Sequence, residues 1–374
     1  MIVTINGRKR HHRTVTFNAD TNTVQLIEQR LLPHQFKIVA ARDYRETAQA
    51  IKDMIVRGAP AIAATAAYGL AQGARAFRGR ELARFARHVE TVCQTLEAAR
   101  PTAIDPVNAM RWVRARMSAG QTVPEQQALA LAAAEEFANQ DVEHCQAIGR
   151  HGAKLIRDGA RVLTHCNAGW LACVDIGTAT APMYAAQAQG KTFHVFCDET
   201  RPRCQGATLT AWELAQQGIS HQVIADNAAG HLMQRGEIDL VIVGSDRVLG
   251  RTGEVANKIG TYSKAVLAHR HHIPFYVTIP LSSIDWQLKS GSAIPIEERH
   301  EHEVLGAWGA LCDFKFQLSN SKSPKQAYVR VANPTSGARN PGFDVTPPEL
   351  ITGIITPVGI LRPRTLWSSR RRLG

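Results

Sequence analysis

Reactive and polar side chains follow four apolar segments in the second half of the 374-residue sequence. Cys166 and Asn167 follow the first segment, and residues 198–201, 226–227 and 245–247 follow the next three. If these segments are parallel strands, their carboxyl ends meet at one edge of a sheet, where open α/β sheets bind ligands. A thiol, several carboxylates and cations at one edge can perform acid–base chemistry. We therefore predict a functional site there, rather than a row of ordinary helix caps and loop acids.

Cys166 is the first candidate for a reactive group. It stands before Asn-Ala-Gly and a predicted helical stretch, where free backbone N–H groups and the helix dipole favour an anion. We expect this position to lower the pKa of the thiol from its usual value of about 8.5 toward neutrality. The alternative is a buried, inert strand cysteine, which is the expectation for Cys173, Cys197 and Cys204. No Cys-His-Asn triad is predicted, because His165 is adjacent in the strand and should point to the opposite face.

Asp246 is the second candidate, and it ends the apolar run that begins at Ile238. A carboxyl group in a closed site beside a thiol can act as a general acid or base if burial raises its pKa. The alternatives are a helix cap or an ion pair with Arg247.

We expect the ligand to carry a phosphate group through which the protein binds it. Arg57, Gly58, Ala59 and Pro60 open an Ala-rich helix, where proline suits the first turn and glycine lets an anion approach the backbone. Two further helix openings are predicted at residues 257–258 and 226–230. The sequence contains neither a G-x-G-x-x-G nor a G-x-x-x-x-G-K-[ST] motif, so dinucleotide and P-loop nucleotide binding are unsupported.

The elements that must position these residues follow from the apolar pattern. Short apolar runs predict five strands, at residues 161–166, 193–197, 221–225, 240–243 and 275–279. Helical stretches separate them, notably 208–217 and 258–270, which predicts βαβ units and a parallel sheet. The first half is mostly helical, for example over 44–56 and 61–77, with weak strands at 13–18 and 23–26.

The predicted fold class is α/β, with a mostly helical N-terminal domain followed by a Rossmann-like parallel-sheet domain. We place the N-terminal domain, which includes small strands, at residues 1–152 and the α/β catalytic domain at 153–361. Residues 362–374 are expected to form a basic tail. Residues 304–338 break the pattern, and their polar stretch 317–325 shows no clean period.

Composition limits the partners and the compartment. The formal net charge is +12, but residues 1–13 and 362–374 carry nine positive charges without an acid. We interpret these as solvated basic ends and expect no nucleic-acid partner. Seven cysteines without a C-x-x-C pair indicate free thiols in a reducing cytoplasm. No apolar run is long enough to span a membrane, and no histidine cluster has metal-ligand spacing.

Several motifs resemble those of the methylthioribose-1-phosphate isomerases, a family that also holds ribose-1,5-bisphosphate isomerases and the regulatory subunits of initiation factor 2B. Two of the motifs are Leu163-Thr-His-Cys-Asn-Ala-Gly169 and Gly244-Ser-Asp-Arg247. The other matching segments are 56–62, 100–103, 198–202, 205–206, 209–214, 255–262, 340–341 and 343–347. The resemblance covers about residues 13–303 and 339–361, and it excludes 304–338 and 362–374.

The resemblance implies an aldose–ketose isomerase of methionine salvage, with no metal or organic cofactor, working as a cytoplasmic homodimer on a small phosphorylated sugar. The family's catalytic cysteine and aspartate fall on Cys166 and Asp246. Its substrate-binding positions fall on Arg57, Gly58, Ala59, Arg100, Gln205, Asn257 and Lys258. Three alternatives stay open: an isomerase of 5-deoxyribose 1-phosphate or ribose 1,5-bisphosphate, a non-catalytic initiation factor 2B-like subunit, and a nucleic-acid binder that uses the charged ends.

Overall fold

The computed structural model describes residues 1–5, 7–100, 104–312 and 325–373. Residues 101–103 of the 100–103 motif and most of the polar stretch 317–325 lie outside this description. In the described part of the chain, no helix is both long enough and apolar enough to cross a membrane.

The first part of the chain is built mainly from helices. They are α1 (Tyr44–Lys52), α2 (Ala59–Ala76), α3 (Leu82–Glu97), α4 (Asp105–Met117) and α5 (Val123–Gly152). Helix α2 is buried from Pro60 to Ala74, because its alanines let α1, α3, α4 and α5 approach it from several sides. A hairpin and a small sheet precede these helices: β1 (Ile2–Ile5), β2 (Arg8–His11), β3 (Val15–Asn18), β4 (Thr23–Ile27) and β5 (Ile38–Ala41).

The second part contains a seven-stranded sheet. Its strands are β6 (Ala160–Thr164), β7 (Phe193–Asp198), β8 (His221–Ile224), β9 (Leu240–Val243), β12 (Phe275–Thr278), β17 (Gly353–Thr356) and β18 (Gly359–Leu361). The spatial order is β18-β17-β12-β9-β6-β7-β8, and every neighbouring pair is parallel except β17 with β18. All five predicted strands belong to it, so the predicted fold class is confirmed.

The order of these strands creates a switch point between β6 and β9. From β6 the chain adds β7 and β8 on one side, and it then returns to β9, β12 and β17 on the other. Leu163 of β6 lies opposite Val241 of β9. The loops that follow these two strands therefore open from neighbouring positions, which is where doubly wound sheets bind ligands.

A second, four-stranded sheet has the order β13-β10-β11-β16. Its strands are β10 (Arg247–Leu249), β11 (Val255–Lys258), β13 (Ile284–Asp285) and β16 (Phe343–Thr346). Strand β11 corrects one prediction, since Asn257 and Lys258 end a strand instead of opening a helix. The strand forms because residues 255–258 pair antiparallel with β16. The helix starts only at Thr261, after Gly260 turns the chain with φ of 102°.

The remaining helices and one hairpin complete the fold. They are α6 (Ala181–Ala188), α7 (Ala211–Gln216), α8 (Ala228–Gln234), α9 (Thr261–Arg270), α10 (His302–Leu305), α11 (Arg370–Leu373), β14 (Gly306–Ala310) and β15 (Gln326–Arg330). The C-terminal segment is packed where it is described, because Leu366 and Leu373 are buried in the core of the sheet domain. The division of the chain near residue 152 stays a prediction.

A buried carboxyl group in α5 gives the first testable prediction. Asp141 accepts a hydrogen bond from the backbone N–H of Val174 at 2.7 Å, but burial raises its pKa from 3.8 to about 7. Between these two values the folded protein holds a proton that the unfolded chain has lost, so this group's contribution to stability falls as pH rises, by about 1.4 kcal/mol per pH unit. Asp141→Asn lacks this titration.

We therefore expect Asp141→Asn to become more stable relative to the parent protein between pH 5 and pH 7, by about 2–3 kcal/mol. Urea unfolding of both proteins at the two pH values measures the difference. An identical free-energy difference at pH 5 and pH 7 would contradict the protonated state assigned to Asp141.

Candidate active site

Cys166 lies just beyond β6 in an unusual backbone conformation. Its φ is 68°, a region that residues other than glycine rarely adopt. Two buried threonines hold it there: Cys166 donates its N–H to Thr200 Oγ1, and its carbonyl accepts from Thr210 Oγ1, both at 2.8 Å. The residue is 6% exposed. A residue held in a strained backbone conformation by two hydrogen bonds is typical of a functional site, where the side chain must point in one fixed direction.

The surroundings of Cys166 differ from the prediction in two ways. No α-helix starts behind it, since a 3-10 turn at Trp170–Ala172 follows and the next α-helix begins at Ala181. The expected fall in pKa is also wrong. Burial raises the pKa of the thiol, although the charges of Arg57 and Lys258 oppose this shift. The resting group is therefore a neutral thiol next to two cations.

Asp246 follows β9 at the same edge of the sheet and donates its N–H to the carbonyl of Ala256 at 3.0 Å. Burial raises the pKa of its carboxyl group, and the charges of Lys258, Arg57 and Arg100 oppose the rise. The alternative ion pair with Arg247 does not form, because Arg247 binds Asp285 at 3.1 Å. A carboxyl group with a raised pKa can stay protonated and donate a proton.

One close contact and one electrostatic effect relate the loops after β6 and β9. A Cβ atom on Gly244 would lie 2.2 Å from the Cβ of Ala168, so only glycine fits there. The carboxyl of Asp246 also raises the pKa of Cys166. The thiol and the carboxyl group thus belong to one electrostatic environment.

Arg57 connects the thiol to the start of α2. Its guanidinium donates to Asn167 Oδ1 at 2.5 Å and to the Asn167 carbonyl at 2.9 Å, and it reaches Cys166 Sγ at 4.0 Å. Gly58 follows with φ of 93°, and a Cβ atom there would lie 2.5 Å from Ala172. Gly58 therefore lets the loop at Ala172 pack against the start of α2, where Gly58 and Ala59 are half-buried, and a helix N-terminus of this kind suits an anion.

Lys258 and Asn257 come from the end of β11, and both are buried. Burial lowers the pKa of Lys258, while Cys166 and Asp246 raise it. The Lys258 ammonium lies 4.4 Å from the ring of Phe343, and within the described residues no carboxylate is within 4.0 Å of it. Asn257 donates to Thr261 Oγ1 at 3.0 Å. Lys258 is thus a buried cation available to a ligand anion.

Two cavities lie on either side of Arg57 and Gly58. A cavity of about 510 Å³ contains Arg57 and Gln205 among its lining residues. A smaller one of about 80 Å³ contains Gly58, Ala59, Arg100 and Asp246. Gln205 is 7% exposed, and its buried Oε1 has no hydrogen-bond partner among the described residues. An unsatisfied buried amide oxygen indicates a place for a donor from a ligand.

Arg100 reaches the smaller cavity from the end of α3 and forms an ion pair with Glu297 at 3.5 Å. Asp105 lines the same cavity. Its carboxyl group accepts a hydrogen bond from Ser283 Oγ at 3.0 Å. Burial raises the pKa of Asp105 to about 7. Sequence reasoning missed this residue, since an acid in the first turn of a helix is usually an ordinary cap.

Asn167, Thr200, Thr210 and Glu213 support the thiol. Asn167 and Thr200 were expected at this edge of the sheet, whereas Thr210 and Glu213 were not singled out. Glu213 accepts four hydrogen bonds from the loop at residues 167–171 and from α6. The only sequence signal for Thr210 and Glu213 was that they fall inside the segment 209–214 of the family resemblance.

Two clusters of described residues have the donor types for a metal ion: Asp141 with Cys145 and Cys173, and His165 with Asp198 and Asp226. In the second cluster a cation is already present, because Lys264 Nζ lies 3.2 Å from Asp198. His165 lies between Asp198 at 2.8 Å and the Ile259 carbonyl at 2.9 Å. Asp198 Oδ1 is buried and has no hydrogen-bond partner among the described residues.

Comparison with known proteins adds a family match and close relatives. The chain matches the model of the Initiation factor 2 subunit family over residues 55–363. It is 48% identical to methylthioribose-1-phosphate isomerase of Methylorubrum extorquens, over 95% of this chain and 94% of that protein. It is 46% identical to the methylthioribose-1-phosphate isomerase of Brucella anthropi, over 95% of each.

Two solved structures are also similar. The crystal structure of 5-methylthioribose 1-phosphate isomerase from Pyrococcus horikoshii OT3 has a TM-score of 0.83 and 39% identity, covering 97% of this chain and 96% of that chain. The crystal structure of the translation initiation factor eIF-2B, subunit delta, from A. fulgidus has a TM-score of 0.80 and 37% identity, covering 97% and 99%.

Proposed function

The chain belongs to the Initiation factor 2 subunit family, and on this premise we propose that it is an aldose–ketose isomerase of methionine salvage. The proposed reaction converts 5-methylthioribose 1-phosphate to 5-methylthioribulose 1-phosphate. The observation that supports the proposal is that Cys166 and Asp246 follow neighbouring strands at the switch point of the sheet, where the charges of Arg57 and Lys258 act on both groups. The names of the curated relatives support the same reaction.

Asp246 is proposed as the general acid. The substrate is a closed ring whose anomeric oxygen carries phosphate, so the ring oxygen must be protonated before the ring opens. Burial raises the pKa of Asp246, which keeps a proton available there. This acid role predicts that activity falls as pH rises through the pKa of Asp246.

Cys166 is proposed to act at C1 and C2, where a hydrogen must move from C2 to C1. It serves as the base in a cis-enediol route, or it stabilises the transition state of a hydride-like shift. The raised pKa of the thiol makes it a poor base at rest. The neighbouring cations Arg57 and Lys258 stabilise negative charge that develops during either route.

This arrangement predicts how the migrating hydrogen behaves. With substrate deuterated at C2, we expect most of the deuterium to remain in the product, because the thiol is 6% exposed and a shielded site limits exchange with water. Mass spectrometry of the ketose formed in ordinary water measures the retention. Complete loss of the label would contradict a shielded site.

The phosphate is proposed to bind at the start of α2. The N–H groups of Gly58 and Ala59 and the charges of Arg57, Arg100 and Lys258 surround this place. Charge-assisted hydrogen bonds of this kind are strong and fix the orientation of a phosphate. Gln205 and Asn257 are proposed to bind the sugar hydroxyls, an assignment that the unpaired amide oxygen of Gln205 supports.

The larger cavity supports a methylthio group at C5 rather than a second phosphate. Leu31, Leu32, Met54 and Leu209 are apolar side chains in its lining. Arg203 also lines it but lies 3.5 Å from Glu303. A second phosphate would have to compete with that carboxylate, which argues against ribose 1,5-bisphosphate.

The test is to mix the purified protein with 5-methylthioribose 1-phosphate and follow the ketose by NMR. We expect conversion without an added cofactor, and faster turnover than with 5-deoxyribose 1-phosphate or ribose 1,5-bisphosphate. If none of the three sugars is converted, the result would favour a non-catalytic subunit. This is the second candidate function, because the chain is similar to the translation initiation factor eIF-2B, subunit delta.

A cytoplasmic homodimer belongs to the same proposal. All seven cysteines are free thiols, which supports a reducing compartment. Light scattering of the purified protein would give twice the chain mass of 41.0 kDa if the dimer is right.

A further inference from the structure

Glu213 is a buried carboxylate that the proposed chemistry does not use. It lies in α7 with no exposed surface. Its two oxygens accept four hydrogen bonds, from the N–H of Trp170 (3.0 Å) and Leu171 (3.1 Å), the amide of Asn167 (2.9 Å) and the hydroxyl of Tyr184 (3.0 Å). Within the residues that the structure describes, no cation lies within 4.0 Å of it. Hydrogen bonds, rather than a neighbouring ion pair, therefore stabilise its charge.

These hydrogen bonds connect Glu213 to the reactive thiol. Glu213 Oε1 binds the NH2 group of Asn167, so the opposite side of that amide, Oδ1, faces Arg57 at 2.5 Å. Arg57 in turn reaches Cys166 Sγ at 4.0 Å. The loop also packs directly on the carboxylate, since a Cβ atom on Gly169 would lie 1.7 Å from Glu213 Oε2.

We infer that Glu213 is a positioning residue for the isomerisation: its ionised carboxylate fixes residues 167–171 and, through Asn167, the orientation of Arg57 beside Cys166. This inference rests on the proposed function. Glu213 does not touch the substrate in this account, and its effect passes entirely through the Asn167 amide and the Arg57 guanidinium.

The protonation state of Glu213 decides how strongly the loop is held. A carboxylate accepts charge-assisted hydrogen bonds at both oxygens. In a carboxylic acid one oxygen carries a hydrogen, which among the four partners only the Tyr184 hydroxyl can accept, and the bonds to the loop N–H groups are no longer charge-assisted. Burial raises the pKa of Glu213 to about 7, although its hydrogen bonds oppose the shift. The ionised, loop-holding form therefore predominates above about pH 7, and activity should fall as pH drops through this value.

The other titratable groups around Glu213 do not change the expected dependence of activity on its protonation. Tyr184 from α6, Cys197 from β7 and Cys173 from the loop all have raised pKa values because of burial or neighbouring charge, so they stay neutral near pH 7. The N-terminal amine of Met1 also interacts electrostatically with the Glu213 carboxylate, but it forms its ion pair with Asp175. No group in this set replaces Glu213 as the acceptor of the loop N–H groups.

Glu213→Gln tests the inference. Glutamine has one acceptor oxygen and must turn its NH2 group toward the N–H of Trp170 or of Leu171. We expect kcat/KM to fall about 100-fold at pH 8, the size of effect that a misplacement near 1 Å can produce. The acid limb of the pH profile near pH 7 should also disappear, which a purely structural defect would not cause.

Tyr184→Phe is the second variant, and it removes one donor while the three loop bonds remain. The carboxylate loses stabilisation, so the pKa of Glu213 rises and the acid limb should move to higher pH, with little change of kcat at pH 9. The substrate phosphate titrates near pH 6, but its pKa is the same for every variant and cannot produce a shift between them.

The outcomes separate the two levels of the account. The inference is overturned if the parent protein converts the substrate and the Glu213→Gln variant has the same kcat/KM and the same loss of activity at low pH as the parent. If Glu213→Gln does not fold, an unshifted limb in Tyr184→Phe overturns it. A parent protein without turnover overturns the proposed function instead. The crystal structure of Glu213→Gln then still decides the inference, because an unmoved loop at 167–171 with Arg57 in place would contradict it.

Discussion

Cys166→Ser is expected to lower kcat by about 10²–10⁴-fold, the contribution typical of a positioned acid–base group. Serine fits the same space, and the backbone bonds of residue 166 to Thr200 and Thr210 do not involve the side chain. The hydroxyl, however, is less acidic and less polarisable than the thiol. KM should change little, because the phosphate contacts come from other residues. Steady-state kinetics at saturating substrate measures both constants.

The matched control is Cys312→Ser, because Cys312 is exposed and its thiol contacts the Ala310 carbonyl at 3.8 Å rather than a residue of the proposed site. It should keep the kcat of the parent protein. A Cys166→Ser enzyme with near-normal kcat would remove Cys166 from the mechanism.

Asp246→Asn is the second variant with a large expected effect. The amide keeps the shape of the carboxyl group but cannot donate a proton to the ring oxygen, so kcat should again fall about 10²–10⁴-fold. In the parent protein the raised pKa of Asp246 predicts that activity is present below this pKa and is lost as pH rises through it. This alkaline limb should be absent from the residual activity of the variant.

Asp239→Asn is a control at the other end of the same strand, since Asp239 precedes β9 and Asp246 follows it. Asp239 binds Arg161 in a partly exposed ion pair, and loss of such a pair costs little. This variant should retain activity and its alkaline limb. Equal losses in both aspartate variants would indicate damage to β9 rather than loss of an acid.

The sheet could be predicted from the sequence because its inner strands are buried on both faces. Residues 240–243 are buried without exception, and such a strand reads as a continuous apolar run. The positions of Cys166 and Asp246 just beyond two strands could be predicted for the same reason, since each stands where such a run ends. Strand β18 could not, because its three residues Gly359–Leu361 alternate only weakly in burial.

The errors concern effects that depend on tertiary contacts. The helix predicted from residue 258 starts at Thr261, because pairing with β16 extends the strand to Lys258 and Asp344 caps the helix at Gly260 and Tyr262. The pKa of Cys166 was expected to fall on local grounds, yet burial raises it. Burial of this kind arises when distant segments pack around the thiol, and no local pattern reports it.

Glu213 is a residue whose surroundings could not be predicted from the sequence. In the sequence it is one acid within a predicted helix at 208–217, where acids usually face solvent. The structure buries it completely and surrounds it with donors from residues 167–171 and Tyr184. Only the folded arrangement identifies those donors.

The most direct test of the account is a crystal structure of Cys166→Ser with 5-methylthioribose 1-phosphate bound. The account predicts the phosphate at the N–H groups of Gly58 and Ala59, with the sugar ring between residue 166 and Asp246 and the ring oxygen within hydrogen-bonding distance of the Asp246 carboxyl group. A sugar phosphate bound away from this edge of the sheet, or with Asp246 turned away from the ring, would contradict it.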